Sequence, residues 1–149
     1  MTKHRNVEFD DSLSLHDWPA EAIADLVDRG SLAEWRRVAN ALDEEPWGRV
    51  ADVITALAGS GHTIGDLLHE IVERRRRHIN EMARRRYAEL IAETRRATGL
   101  SMREFAARVG TSASRLSDYE NAKVSPTGEV IGRIEEIAGR IRSSGRGAP

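Results

Sequence analysis

The stretch that decides the fold reads Leu100-Ser-Met-Arg-Glu-Phe-Ala-Ala-Arg-Val-Gly-Thr-Ser-Ala-Ser-Arg-Leu-Ser-Asp-Tyr-Glu-Asn-Ala-Lys123. Ser101 can cap a short helix, and Gly110 can end it because a left-handed residue after the last turn costs least as glycine. Ser112 can then cap a second short helix. Too few residues separate the two helices for them to lie antiparallel, so they must cross at a steep angle. The pattern predicts a helix-turn-helix, which indicates binding to DNA.

The composition favours a helical protein without cysteine chemistry. The chain has 149 residues, enough for one ordinary domain or two small ones, and 40% of them are hydrophobic but only 5% aromatic. The absence of cysteine excludes disulfides and thiolate metal sites. No apolar stretch approaches the roughly 20 residues that span a bilayer, and the N-terminus lacks the apolar segment of a secretion signal. We therefore expect a cytoplasmic protein without membrane contact.

The charges are distributed unevenly along the chain. Residues 1–62 carry 6 Lys+Arg against 12 Asp+Glu, whereas residues 63–149 carry 17 against 12. The basic excess lies in the half that holds the helix-turn-helix, as contact with phosphates requires. The acidic half is a poor surface for DNA and is better suited to a protein partner.

Residues 1–62 are expected to form an acidic bundle of three amphipathic helices. The first should begin near Asp17 and end at Gly30, and Ser31 with Glu34 forms a capping box that opens the second. Each helix also holds a tryptophan at or near one end, and these are Trp18, Trp35 and Trp47. They could simply pack at helix junctions. Alternatively, they anchor a partner protein, because tryptophan is enriched at interface hot spots.

A long helical pattern begins at Thr63 and connects the bundle to the basic half. We expect either one helix of about 35 residues or two helices joined by a kink near residues 78–80, since nothing between the arginine run and Gly99 breaks a helix. Residues 63–86 would then be a connecting helix. The run Arg74–Arg77 is best explained as a solvated face paired with Glu70, Glu73 and Glu81. For residues 84–86, phosphate contact and a plain surface remain equally open.

Residues from about 87 to 140 resemble the Xre or Cro-type helix-turn-helix of phage repressors and many bacterial regulators. The matching elements follow one another in order without gaps: residues 90–101, 104–112, 115–123 and Ser125-Pro126. The resemblance implies a lambda-repressor-like domain of five helices, with the second and third forming the motif and the third entering the major groove. The expected fold is therefore all-α, with an N-terminal bundle, a long connecting helix and this C-terminal domain.

The resemblance also assigns roles to individual residues. Arg95 and Glu120 fall where relatives form a partly buried ion pair, and losing one partner of a buried pair costs about 3–5 kcal/mol. The core positions it implies are Phe105, Ala106, Val109, Leu116 and Tyr119. The base-reading positions it implies are Ala113, Ser114 and Asp118, with Ser117 as a further candidate. The expected phosphate contacts are Ser112, Arg115, Arg103, Asn121 and Lys123, and Arg115 could instead read guanine.

Three departures from the family pattern matter. Met102 stands where a glutamine usually contacts phosphate, so we expect that anchor to move to Arg103. Ala122 replaces the usual glycine after the third helix and must tolerate or alter a tight turn. The reading surface holds no glutamine, which favours a dimer on a palindromic site over high affinity from one copy. The long helix and the last helix are both candidates for the dimer contact.

The end of the chain should form one more helix and a tail. Ser125-Pro126 would supply the cap and first turn of a helix reaching about Arg142, although three glycines weaken it. Residues 143–149 are expected to be disordered.

No residue pattern indicates catalysis, a metal or a cofactor. The histidines His4, His16, His62, His69 and His78 lack the spacing of a metal site and are better explained as plain surface residues. The leading hypothesis is a sequence-specific repressor, acting as a homodimer on double-stranded operator DNA and serving as the autoregulating antitoxin of a toxin-antitoxin operon. Its N-terminal bundle would bind the cognate toxin. The alternatives are a stand-alone regulator and a protein-interaction adaptor that does not bind DNA.

Overall fold

The computed structural model describes residues 2–4 and 7–145 and divides the chain into two compact units, Met1–His78 and Ile79–Pro149. The predicted all-α class is confirmed. The described part also contains one short antiparallel ribbon at the N-terminus, formed by strands β1 (Thr2–His4) and β2 (Val7–Phe9), with Lys3 opposite Glu8.

The rest of the described chain contains seven α-helices and one short 3-10 turn, joined by short loops. In order they are the 3-10 turn Leu15–Asp17, then α1 (Ala20–Arg29), α2 (Leu32–Glu44), α3 (Arg49–Leu57), α4 (Thr63–Thr98), α5 (Met102–Val109), α6 (Ala113–Glu120) and α7 (Gly128–Gly145). Of the two expectations for the long pattern, the structure has the single helix: α4 runs for 36 residues without a break.

The core of the first unit joins α1, α2 and α3 to the beginning of α4. Leu68 and Val72 of α4 are buried in the same cluster as Ile23, Leu42 and Ile54. The expected boundary at residue 62 is therefore wrong for the fold, because the apolar face of α4 completes the core of the first unit, which extends to His78. Of the predicted connecting helix, residues 63–78 belong to the first unit and residues 79–86 to the second.

Local capping explains where the helices of the first unit begin. Ser31 and Glu34 form the predicted capping box, in which the Ser31 amide donates to the Glu34 carboxylate at 2.6 Å. The first helix begins later than expected, because Asp17 ends the 3-10 turn and Pro19 occupies the cap position of α1. Proline is suited to this place, since the first turn of a helix needs no amide donor.

The arginine run Arg74–Arg77 pairs mainly with groups of the first unit. Arg76 Nε donates to the Pro46 carbonyl at 2.7 Å, and Arg75 Nε lies 3.1 Å from the Asp43 carboxylate. Arg76 and Arg77 pair with Glu73 and Glu70, as the sequence predicts, at 2.8 and 3.0 Å. Glu81 pairs with Arg85 instead. Three of the four arginines therefore have partners within their own unit, which leaves little of this run for phosphates.

The described residues of the second unit form four helices, not the five that the resemblance implies. They are the C-terminal part of α4 with α5, α6 and α7, and their core is formed by Ile91, Phe105, Ala106, Val109, Leu116, Tyr119, Val130, Ile134 and Ile137. All five core positions implied by the resemblance are buried. Only residues 121–127 separate α6 from α7, and they include the buried Pro126, so no further helix fits between them.

Both ends of α7 differ from the expectation. The Thr127 hydroxyl accepts from the Val130 amide at 3.4 Å, so Thr127 opens the helix instead of Ser125. At the other end the helix continues to Gly145, three residues into the expected disordered tail. There the hydroxyls of Ser143 and Ser144 donate to carbonyls one turn earlier. The remainder of that tail, residues 146–149, lies outside the described residues.

Candidate nucleic-acid interface

Helix α5 is fixed at its beginning by a second capping box. The Ser101 amide donates to the Glu104 carboxylate at 2.9 Å, and the Glu104 amide donates back to the Ser101 hydroxyl at 3.3 Å. The Ser101 hydroxyl also donates to the carboxylate and, with the backbone bond, lowers the pKa of Glu104 below its ordinary value. The capping box therefore holds the carboxylate in its ionised form at the positive end of the helix.

The turn between α5 and α6 depends on a glycine in the left-handed conformation. Gly110 has φ 77°, and the Thr111 amide donates back to the Ala106 carbonyl at 2.9 Å. Ser112 then caps α6 by accepting from the Arg115 amide at 3.1 Å. Two caps placed two residues apart force the change of direction that the sequence predicts.

Helix α6 has one buried face and one accessible polar face. Leu116 and Tyr119 point into the core. The predicted base-reading residues are exposed or partly exposed: Ser114 is exposed, Ser117 and Asp118 are partly so, and Ala113 packs partly against the core. These positions are one, three, four or five residues apart, so they share one side of the helix.

The predicted phosphate contacts divide into free and engaged side chains. Arg103 and Arg115 are exposed, and neither forms an ion pair within the described residues. The Asn121 amide group donates to the Ser117 carbonyl at 2.8 Å, and the Ser112 hydroxyl serves as a cap, so both make local bonds. Lys123 is exposed, with its Nζ 3.9 Å from the Asp118 carboxylate.

Arg95 and Glu120 form the ion pair that the resemblance implies. Arg95 Nε lies 2.6 Å from Glu120 Oε1 and Nη2 lies 3.2 Å from Oε2, so the contact is bidentate and joins α4 to the end of α6. The hydrogen bond from Arg95 to Glu120 raises the pKa of Arg95 above its ordinary value. The pair is partly buried, with 26% and 12% of the two side chains exposed. It therefore fixes the orientation of α6 against α4.

Ala122 adopts the conformation for which relatives use glycine. Its φ is 55°, and no other described non-glycine residue has a positive φ. The Lys123 amide donates to the Asp118 carbonyl at 3.0 Å and the Ala122 amide to the Tyr119 carbonyl at 3.1 Å, which is the Schellman pattern. The tight turn is therefore kept without glycine, at the cost of strain.

Arg133 supports the turn after α5 and was missed by sequence reasoning. Its Nη1 donates to the Val109 carbonyl at 3.3 Å, and its Nη2 pairs with Glu129 at 2.6 Å. The first contact joins residues 24 positions apart, so no local pattern could have predicted it. Arg133 thus covers the end of α5 from α7.

The three tryptophans of the first unit have different environments. Trp18 is 3% exposed, and its indole N–H donates to the Leu13 carbonyl at 3.2 Å. Trp35 is half-buried and donates to the Val27 carbonyl at 3.2 Å. Trp47 is 53% exposed on the turn before α3. Trp18 is therefore a packing residue and not a partner-binding candidate as predicted, because a buried indole cannot reach a partner.

Some histidines lie beside carboxylates, and the described residues contain no group that could hold a metal. His16 Nδ1 is 3.3 Å from Glu45, and His62 Nδ1 is 3.2 Å from Asp28. In the part of the chain that the structure describes, no helix is long and apolar enough to cross a membrane.

Fold and accessible face together define a helix-turn-helix domain. The comparison with protein families agrees: residues 91–140, about a third of the chain, match the family model described as helix-turn-helix. This segment is similar to the Xre- and lambda-repressor-like helix-turn-helix domains of DNA-binding transcription regulators. No curated protein and no solved structure matches the sequence.

Proposed function

We propose that the protein is a sequence-specific transcription repressor that inserts α6 into the major groove of operator DNA. The observation that carries this proposal is the accessible polar face of α6, together with the unpaired Arg115 of α6 and Arg103 of α5. The second unit holds 13 Lys+Arg against 9 Asp+Glu, so its charge favours phosphates. In a helix-turn-helix docked on DNA, the second helix lies in the major groove, and the residues at its start and middle contact the base edges.

In this proposal the side chains of α6 and its flanks have separate tasks. Ala113, Ser114, Ser117 and Asp118 read base edges. Arg103, Arg115 and Lys123 bind phosphates, and Arg115 is also long enough to reach a guanine. Ser112 and Asn121 act mainly through the backbone, because their side chains already hold the two ends of α6.

We propose that two copies bind a palindromic site together. A reading face with one alanine, two serines and one aspartate offers few bidentate contacts, and each good one contributes only about 1–3 kcal/mol of discrimination. Binding to two half-sites doubles the number of such contacts. Size-exclusion chromatography with light scattering tests the dimer, and a monomer that persists at micromolar concentration would contradict it.

A mobility-shift assay on DNA upstream of the protein's own gene tests the DNA-binding proposal. Replacing Ser114 by Ala should change the relative affinity for operator variants. Lys123→Gln should weaken binding to all duplexes alike and reduce the slope of log K against log salt by about 1. Arg140→Gln is the matched control, since Arg140 pairs with Glu136 on α7. If S114A and K123Q both bind like the unchanged protein, α6 is not the recognition helix.

We further propose that the first unit binds a partner and that the protein is the antitoxin of an autoregulated toxin-antitoxin operon. The first unit carries 15 Asp+Glu against 10 Lys+Arg, and Trp47 is exposed close in sequence to Asp43, Glu44 and Glu45. An exposed tryptophan with acidic neighbours suits a basic partner surface.

Co-expression with the product of the adjoining gene tests the antitoxin proposal. That product should co-purify with the full chain and be lost with Trp47→Ala. Leu32→Ala is the control, because Leu32 is also exposed, on α2 of the same unit. If the neighbouring product does not bind while the protein still shifts its promoter, the protein is a stand-alone regulator.

A further inference from the structure

An acidic side chain lies on the face of α6 that is proposed to enter the major groove. Asp118 has 40% of its side chain exposed, on the same side of the helix as Ser114 and Ser117. The other acid of α6, Glu120, is held by two bonds to Arg95. Asp118 is therefore the carboxylate of this helix that is available to a ligand.

A carboxylate this close to DNA needs a specific compensation. The phosphates of the duplex repel it, and its ion pair with Lys123 is loose, with Nζ at 3.9 Å and the lysine itself exposed. Lys123 follows α6 and is proposed to bind the phosphate backbone, so the pair would not survive docking unchanged. Asp118 then requires a hydrogen-bond donor in the groove.

The edges of the four bases differ in what they offer a carboxylate. Guanine presents two acceptors in the major groove and thymine one acceptor with a methyl group, so both repel an ionised oxygen. Adenine presents a donor next to an acceptor. Cytosine presents its N4 amino group as a donor and no acceptor. An ionised side chain that only accepts therefore favours cytosine over the other three bases.

We propose that Asp118 reads the N4 amino group of a cytosine, so that each half-site of the operator carries cytosine at this position. This inference rests on the proposed function, since it requires α6 to lie in the major groove. The neighbouring readers discriminate less, because serine hydroxyls both donate and accept and Ala113 has no polar side-chain atom. Asp118 is thus the residue of this face with the sharpest polar preference.

Selection of random duplex oligonucleotides by the full-length protein, followed by competition with single-base variants, tests the inference. The unchanged protein should select cytosine at one position of each half-site, with a loss of about 5- to 150-fold for the other bases. Asp118→Asn should move the preference at that position to adenine, because the side-chain amide can accept from N6 and donate to N7. Asp118→Ala should lose the preference without gaining another.

Two further variants show whether the preference comes from Asp118 itself. Arg115 could select the same base pair by reading the guanine opposite the cytosine, in which case Arg115→Gln abolishes the preference and Asp118→Asn leaves it unchanged. Glu135→Gln removes an exposed acid from α7 of the same unit and controls for the general gain in affinity when a negative charge is lost. It should leave the selected sequence as it is.

The outcomes separate this inference from the proposed function. A defined consensus that changes from cytosine to adenine with D118N supports both. A defined consensus that D118N does not change overturns the role of Asp118 and keeps sequence-specific binding. Recovery of no consensus by the unchanged protein overturns both. Thermal unfolding of each variant, followed by circular dichroism, verifies that it is folded under the assay conditions.

Discussion

Replacing Ala122 by glycine should stabilise the second unit. Ala122 has φ 55° at the turn after α6, where both backbone bonds of the Schellman pattern are formed. A left-handed conformation costs an L-residue roughly 1–2 kcal/mol, and glycine escapes this cost. Glycine also loses more backbone entropy on folding, by about 0.5–1 kcal/mol. The net gain in the free energy of unfolding should be about 1 kcal/mol or slightly less.

Denaturation with two optical signals measures this gain. All three tryptophans lie in the first unit, so their fluorescence follows that unit, whereas circular dichroism follows all helices. A gain of about 1 kcal/mol raises the melting temperature of a unit this size by about 4–8 °C. The melting temperature by circular dichroism should rise in A122G, with a smaller change in the tryptophan signal.

Ala107→Gly is the matched control for this prediction. Ala107 is exposed in the middle of α5 with ordinary helical geometry, so the same substitution should there lower stability by about 1 kcal/mol. The two variants should therefore shift the melting temperature in opposite directions. If A122G is destabilised like A107G, the turn after α6 is not strained.

Four other predictions concern stability. Glu120→Gln should lower the free energy of unfolding by about 1.5–3 kcal/mol in urea denaturation, because it weakens a bidentate contact to a charged group that is only partly buried; no measurable loss would mean that the pair is not formed. Gly132→Ala in α7 should raise stability by about 0.8–1 kcal/mol, since a Cβ there meets open space, and a lower melting temperature would show hidden crowding. Trp18→Ala should cost about 3–5 kcal/mol while Trp47→Ala stays within about 0.5 kcal/mol, and equal losses would contradict their different burial. The pKa of Glu104 is lowered in the folded chain, so the stabilising effect of this carboxylate is complete above the ordinary glutamate pKa and disappears as the pH falls through the lowered value. Ser101→Ala should therefore reduce the loss of stability at acid pH in a plot of urea midpoint against pH. An unchanged acid limb of that plot would contradict the role of the capping box.

Sequence reasoning succeeded where the signal is local. The capping box at Ser31, the cap at Ser101 and the glycine turn at Gly110 follow from spacing and backbone preference, and the structure has all three. The core positions of α5 and α6, which the resemblance implies, are buried as well. The Arg95–Glu120 pair spans 25 residues and was reached only through the family resemblance.

Sequence reasoning failed where a contact between distant segments decides the structure. The packing of Leu68 and Val72 into the core of the first unit, which moves the boundary between the units to His78, depends on tertiary contacts that periodicity cannot reveal. The same holds for Arg133 at the α5 turn and for Arg76 at the Pro46 carbonyl. The five-helix count came from the resemblance, and the short segment after α6 does not have room for it.

The most direct test of the central claim is a titration of the isotope-labelled full-length protein with its selected operator duplex, followed by NMR. If α6 enters the major groove, the largest changes in amide chemical shift should fall on residues 112–118, with smaller ones at Arg103, Asn121 and Lys123. Residues of the first unit should change little. Changes concentrated in residues 10–62, with those of α6 unaffected, would contradict the account.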